Sequence, residues 1–394
     1  MRYHSLRRSI RGSLLGLALL GSNAWSLPAH YTLTVLGPEM HRGSPVVGPT
    51  AIDPDDGTVV QDQTMSVDYP TALQLAPVFR AIGPTFSGAL DVEAGRIVGY
   101  IWNPATGASY HVRAAVWEQG EARILREVDL SEPFPSSMAT CVNAAGDIWG
   151  TTLRRATSTP PRPDTPGTGA QAQPVEWVDG VTFVTLPTLG GDYGSVEGCN
   201  DGGDSAGWST TASGAMHCTQ WFADGTVHDC HPGHGTSTSY AVAMNNRGQL
   251  AANATQHGRS FGYLWQWPWL TWLMPLHGDT ESQVIALSEN GEAVGRSCNS
   301  NACRAIGWER RRPVDLLART RDAEGWTLHS AVAISDAGLI VAQGAFDDGT
   351  SRSQERTVLL TPVETPTEAW FAWKARIYNW YVQQYVVHLR HAGR

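Results

Sequence analysis

The densest run of chemically capable side chains is HCTQWFADGTVHDCHPGH, from His217 to His234. His217, His228, His231 and His234 beside two cysteines are the residue types that hold zinc or copper. Cys218 and Cys230 lie symmetrically about Asp224. With Ala223-Asp224-Gly225 as a hairpin turn they face each other, which predicts a disulfide once the Cα atoms approach within about 7 Å. An oxidised pair removes both thiolates and leaves surface-loop histidines, so the reading adopted is a disulfide, no metal and no cofactor. Cys298 and Cys303 flank the polar tip Asn299 to Ala302 and predict a second bridge. Cys141 and Cys199 remain, and pair by elimination. Asp53-Pro54-Asp55-Asp56-Gly57 resembles a short calcium loop, but a polar residue and Gly recur at this place along the chain, so it reads as a turn.

A second group is aromatic: Trp267, Trp269 and Trp272, with Tyr263 and Trp265 just before them. Trp267-Pro268-Trp269 falls where the His/Cys run has its polar turn. Tryptophans at a hairpin tip bind a partner more often than polar tips do, by stacking on a sugar ring or docking a protein. The alternative is packing on a neighbouring sheet or on a C-terminal helix. No G-x-S-x-G elbow, H-E-x-x-H, P-loop or dinucleotide fingerprint is present. Acidic residues converging beside an Arg or His in a central channel would favour an enzyme, and small side chains plugging it would favour a binder.

The elements that position these groups come from a repeat. Turn glycines recur at Gly57, Gly95, Gly146, Gly203, Gly248, Gly291 and Gly338, spaced 38, 51, 57, 45, 43 and 47 residues. Each follows an apolar run ending in Asn, Asp or Ser, whose side chain can bond the backbone two residues on. Each unit reads strand, tight turn, strand, loop, strand, turn, strand. A period near 45 means a solenoid or propeller, and the shorter rungs usual in a β-helix make that the runner-up. A Trp follows the turn glycine at Trp221, Trp265 and Trp308, and at longer intervals at Trp117 and Trp177. Thr157 to Pro174, rich in Pro, Thr and Gly, reads as a loop insertion behind the last of these gaps. The first and last repeats lack the Trp, as terminal repeats sharing one blade of a closed propeller would.

The units also resemble the bacterial HAF-repeat extracellular proteins, with their x-A-I-N-x-x-G-x-V-V-G run, H-A-F-x-W segment and leucine-glycine turn. The corresponding third-strand segments run from Arg113 to Trp117, His217 to Trp221, Phe261 to Trp265 and Arg304 to Trp308. Leu189-Gly190-Gly191 matches the L-G-G, and Val35-Leu36-Gly37 resembles the usual beginning. The literal H-A-F tripeptide is absent. The resemblance spans roughly residues 31 to 345 and implies export and a propeller-like β architecture, with no catalytic residues to transfer.

The ends differ in kind. Residues 1–26 read as a signal peptide: Arg2, Arg7, Arg8 and Arg11, an apolar stretch from Ser13 to Gly21, then Ala24-Trp25-Ser26. Without them 24 basic residues face 37 acidic ones, about −13, which argues against nucleic acid or an anionic membrane as partner. Residues 364–394 read as an amphipathic aromatic helix, with Trp370, Trp373, Ile377 and Tyr381 on one stripe. The expectation is an all-β propeller over residues 27–363, with six or seven four-stranded blades and a C-terminal helix. It is exported, periplasmic or extracellular, with no transmembrane segment in the mature chain. It acts as a non-enzymatic binding or scaffold module for a glycan or envelope protein. The alternative is a hydrolase or lyase acting on polysaccharide in the channel.

Overall fold

The structure is a computed structural model and describes residues 27–36, 49–52, 59–61, 72–73, 86–102, 112–118, 121–125, 136–154, 171–178, 182–233, 235–347, 349 and 354–363. In chain order the strands are β1 (Tyr31–Leu36), β2 (Pro49–Ile52), β3 (Val59–Gln61), β4 (Ala72–Leu73), β5 (Phe86–Glu93), β6 (Arg96–Trp102), β7 (Val112–Glu118) and β8 (Glu121–Ile124). Then come β9 (Ser136–Val142), β10 (Ile148–Arg154), β11 (Gln171–Val178), β12 (Thr182–Thr185), β13 (Gly190–Cys199), β14 (Ser205–Thr211), β15 (Met216–Trp221) and β16 (Val227–Asp229). The remainder are β17 (Thr236–Met244), β18 (Leu250–Gln256), β19 (Arg259–Gln266), β20 (Trp269–Leu273), β21 (Glu281–Leu287), β22 (Ala293–Cys298), β23 (Cys303–Glu309), β24 (Arg312–Asp315), β25 (Trp326–Ile334), β26 (Ile340–Phe346) and β27 (Gln354–Pro362).

These strands form a β-propeller with six four-stranded antiparallel blades, and the three-stranded sheet β2–β3–β4 stands between the first and last of them. The first strand of each repeat is innermost. Closure differs from the expectation of a blade shared between first and last repeats. The first repeat makes its own small sheet, while β1, which precedes it, adds to the outer edge of β27 and completes the last blade. Pairing β1 with β27 joins strands from the two ends of the repeat array in one blade, so strand hydrogen bonds close the ring.

The turn chemistry explains why each repeat folds. In the β13–β14 turn Asn200 Oδ1 accepts the N–H groups of Gly202 and Asp204 at 2.9 and 3.0 Å. Gly203 then takes φ +83°, a conformation that side chains with a Cβ resist. Asn143 and Asn245 do the same in their blades. A second recurring glycine serves close approach: a Cβ on Gly207 of β14 would lie 2.0 Å from the Ser195 carbonyl oxygen.

Apolar clusters lie between adjacent blades. Ala206 and Cys218 pack with Ala241, Leu250 and Tyr263 of the next blade. Ala251 and Leu264 pack with Val284, Ile306 and Trp308 of the one after. The repeated third-strand tryptophans are part of this core. Trp221 and Trp308 are buried, and their indole N–H groups donate to Pro187 O at 2.6 Å and Met274 O at 2.8 Å.

Gln171 to Pro174, expected within the loop insertion, form the start of β11 and pair with Arg154 to Thr151. The strand extends past the low-complexity run because Ala172 and Val175 point into the core. Residues 1–26, 157–170 and 364–394, including the expected signal peptide and C-terminal helix, lie outside the described residues. Among the described residues the only helical element is a 3-10 turn at Leu317–Arg319.

Candidate functional site

Each complete innermost strand carries a bulge opposite its second strand. The unpaired residues are Leu90, Thr140, Glu197, Val242, Ile285 and Val332, and all of them line a cavity of about 210 Å³ on the propeller axis. Among these six bulge residues Glu197 is the one ionisable member, and Asp91, Glu93, Asp201, Glu289 and Asp336 also line the cavity. The Glu197 carboxylate accepts the Ser195 hydroxyl at 2.6 Å. Burial pushes the Glu197 carboxyl up to about 7, against the hydrogen bonds from Ser195 and Trp208.

The first-to-second-strand turns all reach one end of this channel and form a chain of polar contacts around it. Ala144 N–H donates to Asp201, Asp201 N–H to Asn246, Asn246 N–H to Glu289 and Glu289 N–H to Asp336, at 2.7 to 2.9 Å. The guanidinium of Arg247 donates to Glu289 O. From Asp201 onward the residue after each turn Asn or Ser thus ties its blade to the one before. Burial pushes the Glu289 carboxyl up to about 7, with Asp336 adding repulsion. Burial likewise pushes Glu292, one turn deeper, up to about 8. Acidic residues do converge beside an arginine, but the carboxylates of Asp201, Glu289 and Asp336 accept backbone donors and act as structural ties.

On the same end of the propeller, farther from the axis, lie the hairpins between third and fourth strands. The Trp267-Pro268 tip joins β19 and β20, and Gln266 Nε2 reaches Arg247 O at 3.2 Å. Trp267 is 67% exposed and Trp269 76% exposed. Trp267 contacts Trp265 at a ring separation of 5.9 Å and meets His228 of the neighbouring blade edge-on at 6.2 Å. Phe222 extends the surface, 4.8 Å from His228. Trp272 is placed differently: it packs on Tyr263 at 5.6 Å, against the interblade core. The tip therefore presents two open indoles and an imidazole edge, drawn from two blades.

All three disulfides form. Cys218–Cys230 and Cys298–Cys303 bridge their hairpins, and Cys141–Cys199 joins consecutive blades with a Cα–Cα distance of 5.9 Å. Among the described residues the candidate histidines engage one another and nearby side chains. His217 and His231 stack with ring centroids 3.9 Å apart. His231 spends both nitrogens on Ser239 and Thr236, and His217 bonds Asp229 at 2.8 Å. Burial, then the neighbouring His217, lowers the His231 pKa. His228 turns to the aromatic surface instead, and His234 lies outside the described residues. Asp91 comes within 4.8 Å of Cys141 and Cys199, but both sulfurs are spent in their disulfide.

Sequence reasoning missed three features: Glu197, the acidic tie residues, and the arginine tip Arg310-Arg311-Arg312 between β23 and β24. The tie residues had a signal in the recurrent position after each turn Asn or Ser. Glu197 had none, because the bulge that aims it at the axis depends on the partner strand.

No family model matches the chain, and no curated protein matches it. Solved structures do. TolB from Acinetobacter baumannii is 15% identical with a TM-score of 0.39, covering 69% of this chain and 64% of that one. The β-propeller domain of the trilobed protease from Pyrococcus furiosus is 8% identical with a TM-score of 0.44, covering 71% and 83%. A puromycin hydrolase is 14% identical with a TM-score of 0.45, covering 85% of this chain and 54% of that one.

Proposed function

We propose that this protein is an exported, non-enzymatic recognition module of the bacterial envelope that binds a glycan through Trp267 and Trp269. The observation that carries the reading is the exposure of both indoles at one tip, 67% and 76%. The axial C–H bonds of a pyranose are positively polarised and match the negative face of an indole, while its hydroxyls stay solvated at the rim. A rigid β-hairpin holds the rings at low entropic cost on binding. Export is supported by three disulfides with no free cysteine, as in proteins that mature in oxidising compartments. Among the described residues no helix is long and apolar enough to cross a membrane.

The test is a glycan-array screen of the purified protein beside a Trp267→Ala/Trp269→Ala variant. The expected result is binding by the wild type that weakens at least tenfold in the variant. Equal binding by both proteins, or none by either, refutes the reading. One observation favours a second reading, a channel hydrolase or lyase acting on polysaccharide: a carboxyl near 7 in a cavity suits general acid–base work. Turnover of any array ligand that Glu197→Gln abolishes would establish it instead.

A further inference from the structure

We infer that the glycan is an acidic polysaccharide, and that the arginine hairpin Arg310-Arg311-Arg312 recognises its anionic groups beside the tryptophan tip. The inference rests on the reading above and names the ligand class for the same face. The two hairpins occupy equivalent places in adjacent blades: Trp267-Pro268 closes β19 and β20, and Arg310-Arg311 closes β23 and β24. Arg247 stands between them, linked to the tryptophan tip through Gln266 and to the next blade through Glu289 O. All four arginines are exposed. Among the described residues nothing pairs with the side chains of Arg310, Arg311 or Arg312. Their acidic neighbour Glu309 is already held by Arg319 at 2.6 Å.

The backbone strengthens the case. Arg310 and Arg311 both have positive φ, +49° and +71°. A two-residue hairpin loop with both φ positive favours Asn-Gly, and side chains with a Cβ are strained there. The other two-residue turns of this form, Ala94-Gly95 and His257-Gly258, carry glycine in second place. Here arginine occupies both places, against the local preference, and strain kept at an exposed tip points to a use for the side chains.

Guanidinium groups pair with carboxylate or sulfate through parallel N–H donors. A row of them beside two indoles suits a chain that alternates apolar sugar faces with fixed negative charges. The chain's net negative charge does not cancel this patch, because charges beyond about 8 Å are largely screened at physiological salt. The acidic ring at the channel mouth is closer to the axis and spent on backbone donors. The carboxyl at the tip on the far side of the tryptophans, Asp224, is bonded to Thr226 in its own turn.

The experiment compares wild type, Arg310→Asn/Arg311→Gly and Trp267→Ala/Trp269→Ala on immobilised polygalacturonate, dextran sulfate, neutral dextran and single-stranded DNA. The Asn-Gly variant relaxes the turn, so its melting temperature should equal or exceed the wild type's, separating lost binding from lost folding. The expected result is wild-type binding to polygalacturonate or dextran sulfate over dextran and DNA by at least tenfold. That binding weakens about tenfold or more from 50 to 200 mM salt and at least tenfold in the arginine variant. The two anionic polymers tell carboxylate from sulfate recognition. Equal binding to dextran with an unaffected arginine variant overturns this inference and leaves the tryptophan reading standing. Loss in the arginine variant with none in the tryptophan variant supports charge recognition and refutes stacking. Preference for DNA, or no binding to any polymer, overturns the inference.

Discussion

Replacing Asn245 by alanine tests how the blades are joined, and the repeat supplies its own control. Asn245 is 1% exposed at the end of β17. Its Oδ1 accepts Arg247 N–H at 3.2 Å and Gln249 N–H at 3.1 Å, and its Nδ2 donates to Ser288 O of the next blade at 3.1 Å. Alanine orphans all three groups. The Gln249 N–H and Ser288 O are buried, so each loses roughly 1–2 kcal/mol, while the Arg247 N–H can turn to water at about 0.5 kcal/mol. The total is about 3–4 kcal/mol. Serine should behave otherwise, because Ser288 and Ser335 hold the equivalent place. Their hydroxyls accept Glu292 N–H at 3.1 Å and Leu339 N–H at 3.2 Å. Asn245→Ser keeps that bond and loses the interblade one and the exposed one from Arg247 N–H, about 1.5–2.5 kcal/mol. Thermal unfolding followed by circular dichroism should show Asn245→Ala melting about 5 °C below wild type and Asn245→Ser between the two. An alanine variant within 1 °C of wild type, or a serine variant no better than alanine, refutes this account of blade joining.

Two further outcomes follow from the same interblade contacts. Removing the Cys141–Cys199 bridge as a double alanine variant opens a loop with a sequence separation of 58. The chain-entropy relation puts this at about 4 kcal/mol in a denaturant titration, and reduction of the wild type, which opens all three bridges, should cost more. The Glu292 carboxyl lies near 8 in the folded protein, above its unfolded value of 4.5, because of burial and the nearby Asp336. The folded state therefore holds a proton that the unfolded chain releases, and stability falls as pH rises from about 4.5 to 8. Glu292→Gln removes that slope, so the variant should gain roughly 2–4 kcal/mol over wild type at pH 9 and little at pH 4. Taking the difference between the two proteins cancels the opposite contribution of His231, whose lowered pKa weakens the fold on acidification. Parallel stability–pH curves would contradict the assignment.

The repeat was legible in the residues alone. Asn or Ser before a positive-φ glycine is local chemistry, settled within five residues, so the hairpins at Asn143, Asn200 and Asn245 were legible without a fold. The same holds for Cys218 with Cys230 and Cys298 with Cys303, where the turn between them fixes the register. The third-strand tryptophans could be read by their spacing, and Trp267 and Trp269 by standing where a sister repeat has Asp224. How the ring closes emerges from the fold as a whole. β1 pairs with β27 more than 300 residues away, and nothing in Tyr31–Leu36 marks that partner. The fold also decided what Glu197 faces, since a bulge reverses side-chain direction and depends on two strands at once. The arginine tip was plain as a run of residues. Its meaning came from the ring, which sets Arg310 to Arg312 on the same end as the tryptophans, one blade along, because every third-to-fourth-strand turn of a propeller returns to that end.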